Sequence, residues 1–107
     1  MTKLLISPAA RDDLQNIKHY IEEKLKNPAA AKITITKIFN TFHTIERFPL
    51  IGTPLNSKAN IITNYRFTVS GNHLIFYKYQ QNILYVSRIL YHKQDFLQIL
   101  FPNNSLH

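Results

Sequence analysis

The chain has 107 residues and a mass of 12.5 kDa, and its 45% hydrophobic content is sufficient for one globular domain. It contains no cysteine, which excludes disulfide frameworks, iron–sulfur clusters, thiolate zinc sites and cysteine nucleophiles. The 13 Lys and Arg residues exceed the 6 Asp and Glu residues, and the resulting net charge of +7 predicts a polyanionic or acidic partner.

The first half of the chain predicts a strand followed by a helical hairpin. Residues 3–6 form a short apolar run, and Ser7 with Pro8 then provides a helix cap and a first helical position. Asn27 and Pro28 repeat this signal, and the second helix is expected to stop before Pro49. Apolar residues recur at helical spacing in both segments: Leu14, Ile17, Ile21 and Leu25, then Ala31, Ile35, Ile38, Phe42 and Ile45.

The second half changes to the two-residue period of strands. Residues 48–57 contain two prolines and a glycine and are typical of a loop. Strands are then expected near residues 65–70, 74–79 and 83–91, with turns at 70–72 and 80–82. A short apolar segment at 96–101 ends at Pro102, and residues 103–107 are predicted to be a flexible tail.

These elements predict a single α+β domain over residues 1–102. The helical hairpin would pack on one face of an antiparallel sheet. Arg66 and Thr68 alternate with Tyr65, Phe67 and Val69, so we expect the two polar residues to face away from the helices. The opposite face of the sheet would then remain open for a ligand. Since no apolar run approaches the ~20 residues of a membrane span or forms a signal-peptide core, we expect a cytoplasmic protein.

Residues 48–107 contain five basic residues and a single carboxylate, Asp95. This scarcity of carboxylates disfavours two-metal nucleases and glycosidases, and no metal or cofactor motif is present in the sequence. The predicted sheet carries cations, phenols and imidazoles instead: Arg66, His73, Tyr77, Lys78, Arg88, Tyr91, His92 and Lys93. Such groups suit metal-free RNA cleavage, which needs a proton acceptor, a proton donor and cations near the developing charge.

We therefore predict catalytic roles for four residues, with His92 or Tyr91 moving protons and Arg66 and Arg88 stabilising phosphate charge. Substrate binding is predicted for Lys78, Lys93 and Tyr77. Each residue also has a structural interpretation. Arg88 could instead form a salt bridge, for instance to Asp95, because a charge in a buried strand requires a partner. Arg66 could be a solvated strand residue, and Tyr77 could simply pack in the sheet.

Four segments together resemble the RelE/ParE superfamily of bacterial type II toxins: residues 6–14 (ISPAARDDL), 65–66 (YR), 72–77 (NHLIFY) and 86–96 (VSRILYHKQDF). The resemblance spans nearly the whole chain and implies a helical hairpin on a twisted antiparallel sheet. It also implies a toxin neutralised by a co-encoded antitoxin, whose flexible and usually acidic segment would suit a chain of charge +7.

The resemblance leaves two targets open. RelE-like members cut mRNA on the ribosome, whereas ParE-like members inhibit DNA gyrase without an enzymatic site. We predict a ribosome-dependent mRNA endonuclease, with gyrase inhibition as the alternative, because Arg66, Arg88 and the position of His92 look like the RelE branch. The helical hairpin and residues 88–96 look more like the ParE branch. A third possibility is an RNA-binding module without catalysis.

Overall fold

The structure is a computed structural model that describes residues 2–56 and 63–102. Strand β1 (Lys3–Ile6) leads into helix α1 (Pro8–His19), whose end widens into a π-helical turn at Tyr20–Lys24. Helix α2 (Pro28–Arg47) follows. The predicted caps are confirmed, since the side chain of Ser7 accepts a hydrogen bond from Ala10 N and that of Asn27 accepts one from Ala30 N.

The sheet contains β1 and four later strands, β2 (Thr53–Pro54), β3 (Arg66–Ser70), β4 (His73–Gln80) and β5 (Ile83–Tyr91), and α3 (Phe96–Leu100) follows it. Its strand order is β1-β5-β4-β3-β2. The α+β fold predicted from the sequence is confirmed. The sheet is mixed, however, because β1 runs parallel to β5 while the other pairs are antiparallel.

The helical hairpin covers one face of the sheet, and we call this the hairpin face. Apolar residues of both helices pack there on alternating residues of β4 and β5. The buried members are Ala10, Ile38, Phe42, Ile45, Ile75, Tyr77, Leu84, Val86 and Ile89. The stripe predicted on α2 is covered by the sheet, and Leu14 and Ile17 of the first stripe pack against the same core. Leu25 is 56% exposed, so the prediction was wrong for the end of the first stripe.

The opposite face of the sheet, which we call the far face, is partly covered rather than open. Phe76 and Leu90 are buried there together with Leu55. Residues of α3 pack against this second cluster, and the Phe96 ring lies 5.3 Å from that of Phe76. The expectation of an open face was therefore wrong, because the short apolar segment at 96–101 folds back onto it.

The side chains of β3 point to the opposite faces of the sheet from those predicted. Arg66 lies directly across from Tyr77, and Thr68 across from Ile75. Directly paired residues share a face, so Arg66 and Thr68 lie on the hairpin face. The prediction that they point away from the helices was wrong. Phe67 instead packs with Phe76 on the far face.

Two-residue turns join the last three strands as predicted. Gly71 has φ +58°, and the β4–β5 turn has Gln81 at φ +52° and Asn82 at φ +64°. None of the helices in the described parts of the chain is long and apolar enough to span a membrane. The predicted tail at 103–107 lies outside the described residues.

Candidate functional site

Beyond Val86, strand β5 loses β1 as a hydrogen-bonding neighbour, because their pairing ends at Ile6 and Val86. Along this edge of β5, side chains at the start of α1 replace β1 as hydrogen-bonding partners. Ser7 Oγ donates to Ser87 O at 2.7 Å, and six residues further along the chain the carboxylate of Asp13 accepts from Ile89 N at 2.8 Å. The buried backbone groups of β5 are thereby satisfied by side chains of the helical hairpin.

The Asp13 carboxylate also forms a bidentate ion pair with Arg88. Arg88 Nε donates to Oδ2 and Nη2 donates to Oδ1, each at 2.8 Å. These hydrogen bonds raise the pKa of Arg88 above its usual value, while partial burial acts in the opposite direction. The predicted salt bridge exists, but its partner is Asp13 and not Asp95. Asp95 instead caps α3 by accepting from Gln98 N.

A groove of about 840 Å³ lies between the helical hairpin and the end of the sheet where β5 terminates, and we call it the hairpin groove. Ile17, Tyr20, Ile21 and Leu25 form its apolar wall. The sheet side contributes Arg88, His73 and Tyr91, and α2 contributes Lys37. Ser70 also lines the groove, and its buried hydroxyl has no hydrogen-bond partner among residues 2–56 and 63–102. The groove therefore combines an apolar wall with cations and an unsatisfied polar atom.

Two imidazoles flank Tyr91 at the end of the sheet. The Tyr91 ring lies 4.8 Å from that of His92 and 6.0 Å from that of His73. Burial lowers the pKa of His73, and the nearby His92 lowers it further. His73 is consequently held in its neutral form more strongly than a free histidine. His73 is one of the polar groups that the sequence places on the sheet, and no role is predicted for it from the sequence.

Arg66 and Tyr77 meet at a different place, beneath the loop that follows α2. Tyr77 Oη donates to Pro49 O at 2.8 Å and accepts from Gly52 N at 2.9 Å. Arg66 Nη1 donates to Gly52 O at 2.8 Å and to Leu50 O at 3.2 Å. Burial raises the pKa of Tyr77, which keeps its phenol protonated.

The two lysines predicted to bind substrate lie elsewhere. Lys78 pairs with Tyr85, and its ammonium lies 4.6 Å from the centre of the Tyr65 ring as a cation–π contact. Lys93 is exposed in the segment after β5.

The seven predicted site residues thus occupy separate parts of the molecule. Arg88 and Tyr91 line the hairpin groove, and the His92 ring lies next to that of Tyr91. Arg66 and Tyr77 lie beneath the loop at 48–52, Lys78 contacts Tyr65, and Lys93 is exposed directly after His92. Their catalytic and binding roles stay predictions. Sequence reasoning missed Asp13, which it placed only near the positive end of α1. In the described residues, no three His, Asp or Glu side chains come together in a way that could hold a metal ion.

Comparison with solved structures finds a protein of similar fold. The chain matches a structure titled "Chromosomal ParDE TA system from P. aeruginosa" with a TM-score of 0.69 and 18% sequence identity. The match covers 85% of this chain and 96% of that chain. At this identity the similarity establishes a shared fold.

The family follows from the sequence itself. The model of the family described as "ParE toxin of type II toxin-antitoxin system, parDE" matches residues 4–96. The chain therefore belongs to the ParE toxin family of type II toxin–antitoxin systems. Comparison with curated proteins finds no match. The resemblance to the RelE/ParE superfamily is confirmed, and the family suggests a cognate antitoxin as partner.

Proposed function

We propose that the chain is a cytoplasmic toxin that inhibits DNA gyrase by binding, without a chemical step of its own. The observation that carries this proposal is that both arginines of the sheet already have partners within the protein. Arg66 donates hydrogen bonds to backbone carbonyl oxygens of the loop at 48–52, and Arg88 forms an ion pair with Asp13. Metal-free RNA cleavage needs cations and proton-transfer groups to converge on one phosphodiester.

The separation of the two arginines supports the same conclusion. Arg66 is bound to the loop at 48–52, whereas Arg88 is bound to Asp13 in α1. Of the two arginines, Arg88 alone lines the hairpin groove, where Tyr91 also lies. The hairpin groove therefore brings only one of the two guanidinium groups predicted to stabilise phosphate charge close to Tyr91.

The experiment compares gyrase with translation, using the same purified protein. We expect inhibition of DNA supercoiling at toxin concentrations that leave a cell-free translation reaction unchanged. His92→Ala is the matched variant, because His92 is exposed and was predicted as a proton-transfer residue. It should inhibit supercoiling as the wild type does. Inhibition of translation without inhibition of supercoiling would contradict the proposal.

The ribosome-dependent mRNA endonuclease is retained as a second candidate because of the imidazoles beside Tyr91. A neutral His73 could accept a proton at neutral pH, and His92 or Tyr91 could donate one. If this candidate is right, His73→Ala and His92→Ala should each slow mRNA cleavage in a translating extract, and Lys93→Ala should weaken binding. Unchanged cleavage in both histidine variants would exclude it.

The cognate antitoxin is proposed to cover the hairpin groove with a flexible acidic segment. The groove offers such a segment an apolar wall, the cations Lys37 and Arg88, and the unpaired hydroxyl of Ser70. Ile21→Asp would place a like charge in the path of an acidic segment and should weaken antitoxin binding, whereas Lys93→Ala lies outside the groove lining and should not. Equal antitoxin affinity for the wild type and Ile21→Asp would argue against this placement.

A further inference from the structure

Three large apolar side chains project into solvent from the loop between α2 and β2. Phe48, Leu50 and Ile51 are 56%, 63% and 58% exposed. They lie within four consecutive residues, and we call them the 48–51 knob. Contiguous exposed apolar groups of this kind are typical of interaction sites, whereas scattered single ones are not.

The loop that carries the knob is held firmly from beneath. Tyr77 and Arg66 together make four hydrogen bonds to the backbone of residues 49, 50 and 52. A side chain at Gly52 would collide with the Tyr77 hydroxyl, since its Cβ would lie 2.4 Å from that oxygen. The phenol of Tyr77 and the guanidinium of Arg66 thus fix the backbone of the loop at 48–52, while the apolar side chains of the knob stay exposed to solvent.

The backbone that carries the knob is fixed by four hydrogen bonds while its three apolar side chains are exposed. Apolar side chains displayed by a fixed loop suit a preformed apolar socket, which a folded protein can provide. A flexible segment that folds on binding instead needs a concave surface, such as the hairpin groove. None of the three knob residues lines that groove. The knob therefore suits a different occupant from the antitoxin.

The charges next to the knob indicate which charge the partner surface should carry around its apolar socket. Arg47 lies beside it, with its guanidinium carbon 5.5 Å from the centre of the Phe48 ring. The neighbouring carboxylate, Glu46, points towards His43 at 3.9 Å. Together with a net charge of +7, this favours a partner surface with acidic side chains around an apolar centre.

We infer that the 48–51 knob is the surface with which the toxin engages its target, inserting Phe48, Leu50 and Ile51 into an acidic-rimmed apolar socket on a folded protein. The inference rests on the proposed function in that it takes gyrase as this protein. It assigns target binding to one side of the molecule and leaves the hairpin groove to the antitoxin. A toxin bound through the groove would still expose its knob.

The test uses Leu50→Asp, with Val69→Asp as the matched control. Val69 is 59% exposed, lies on β3 and belongs to neither the knob nor the groove lining. Each variant is compared with the wild type for inhibition of supercoiling by purified gyrase, for growth arrest on expression, and for binding of the co-encoded antitoxin. Circular dichroism and thermal unfolding establish that each variant is folded, and Leu50→Ser replaces Leu50→Asp if the latter does not fold.

We expect Leu50→Asp to need at least about tenfold more protein than the wild type for equal gyrase inhibition, as loss of an interface hot spot would require. Antitoxin affinity should be unchanged, and Val69→Asp should behave as the wild type. Full gyrase inhibition by folded Leu50→Asp would overturn the inference while leaving the proposed function intact. Loss of antitoxin binding would also overturn it, because the knob would then belong to the antitoxin interface.

Failure of the proposed function is distinguishable from failure of the inference. If the wild-type protein does not inhibit gyrase, the proposed function is wrong and growth arrest decides the role of the knob. Arrest that is lost with Leu50→Asp and retained with Val69→Asp would support a knob directed at another folded target. Arrest retained in both variants would overturn the inference.

Discussion

The ion pair between Asp13 and Arg88 is predicted to be a principal link between the helical hairpin and the sheet. Only 9% of the Asp13 side chain and 30% of the Arg88 side chain are exposed, and one carboxylate accepts three hydrogen bonds of 2.8 Å. Removing one partner of a buried pair costs about 3–5 kcal/mol. Because Arg88 is partly solvated, we expect about 2–3 kcal/mol for Arg88→Ala.

Asp13→Ala should cost a similar amount for a different reason. The freed guanidinium can turn towards water, but Ile89 N loses its acceptor, and a buried unpaired donor costs about 1–3 kcal/mol. In the double variant both charges are gone, so its loss should be about 3 kcal/mol. A double-mutant cycle should therefore give a coupling energy of about 2 kcal/mol between Asp13 and Arg88.

The assay is equilibrium unfolding in urea with the wild type, the two single variants and the double variant. Lys18→Ala is the control, because the Lys18–Glu22 pair is exposed and should contribute less than about 0.5 kcal/mol. Raising the ionic strength should weaken the Lys18 contribution more than the Asp13–Arg88 coupling. A coupling energy below about 0.5 kcal/mol would refute the reasoning, since the pair would then behave as a surface contact.

The remaining predictions concern the loop, one turn and His73. Gly52→Ala should destabilise the protein by about 1–3 kcal/mol, because its Cβ would lie 2.4 Å from the Tyr77 hydroxyl; urea unfolding would measure this, and an unchanged midpoint would contradict it. Gln81→Asn should raise stability by about 0.5 kcal/mol in the same assay, since Asn tolerates the positive φ of this turn better than Gln; a loss of stability would count against the turn geometry. Because burial lowers the pKa of His73, the unfolded chain binds its proton more readily, and stability should fall as the pH drops below about 6.5. Thermal unfolding of His73→Asn should show a smaller fall than the wild type over this range, and an equal fall would mean that His73 does not contribute.

The sequence was sufficient for the local elements. The caps at Ser7 and Asn27 and the helical spacing of apolar residues determine where both long helices begin and which sides they bury. The change to a two-residue period and the turn residues near Gly71 and Asn82 locate the three long strands. These features are determined by interactions between residues close in the chain, so a single sequence can reveal them.

Two features could not be predicted without the tertiary structure: the apolar cover on the far face, and the faces to which the β3 side chains point. Alternation along β3 shows that Arg66 and Phe67 lie on opposite faces, but it does not show which face the helices cover. That choice follows from pairing with β4 and from α3, whose five residues are too few to give a helical period. Phe67 is buried on the far face because α3 and Leu55 complete a second apolar cluster there.

The candidate sites also depended on contacts between distant parts of the chain. Asp13 and Arg88 are 75 residues apart in sequence, and Arg66 and Tyr77 act on a loop that lies 14 to 28 residues before them. The sequence by itself determined the chemistry available: a basic chain without cysteine, with arginines, histidines and tyrosines on its strands. Only the tertiary structure decided which of those groups are used internally and which side chains remain exposed, because long-range packing determines the partners of each charge.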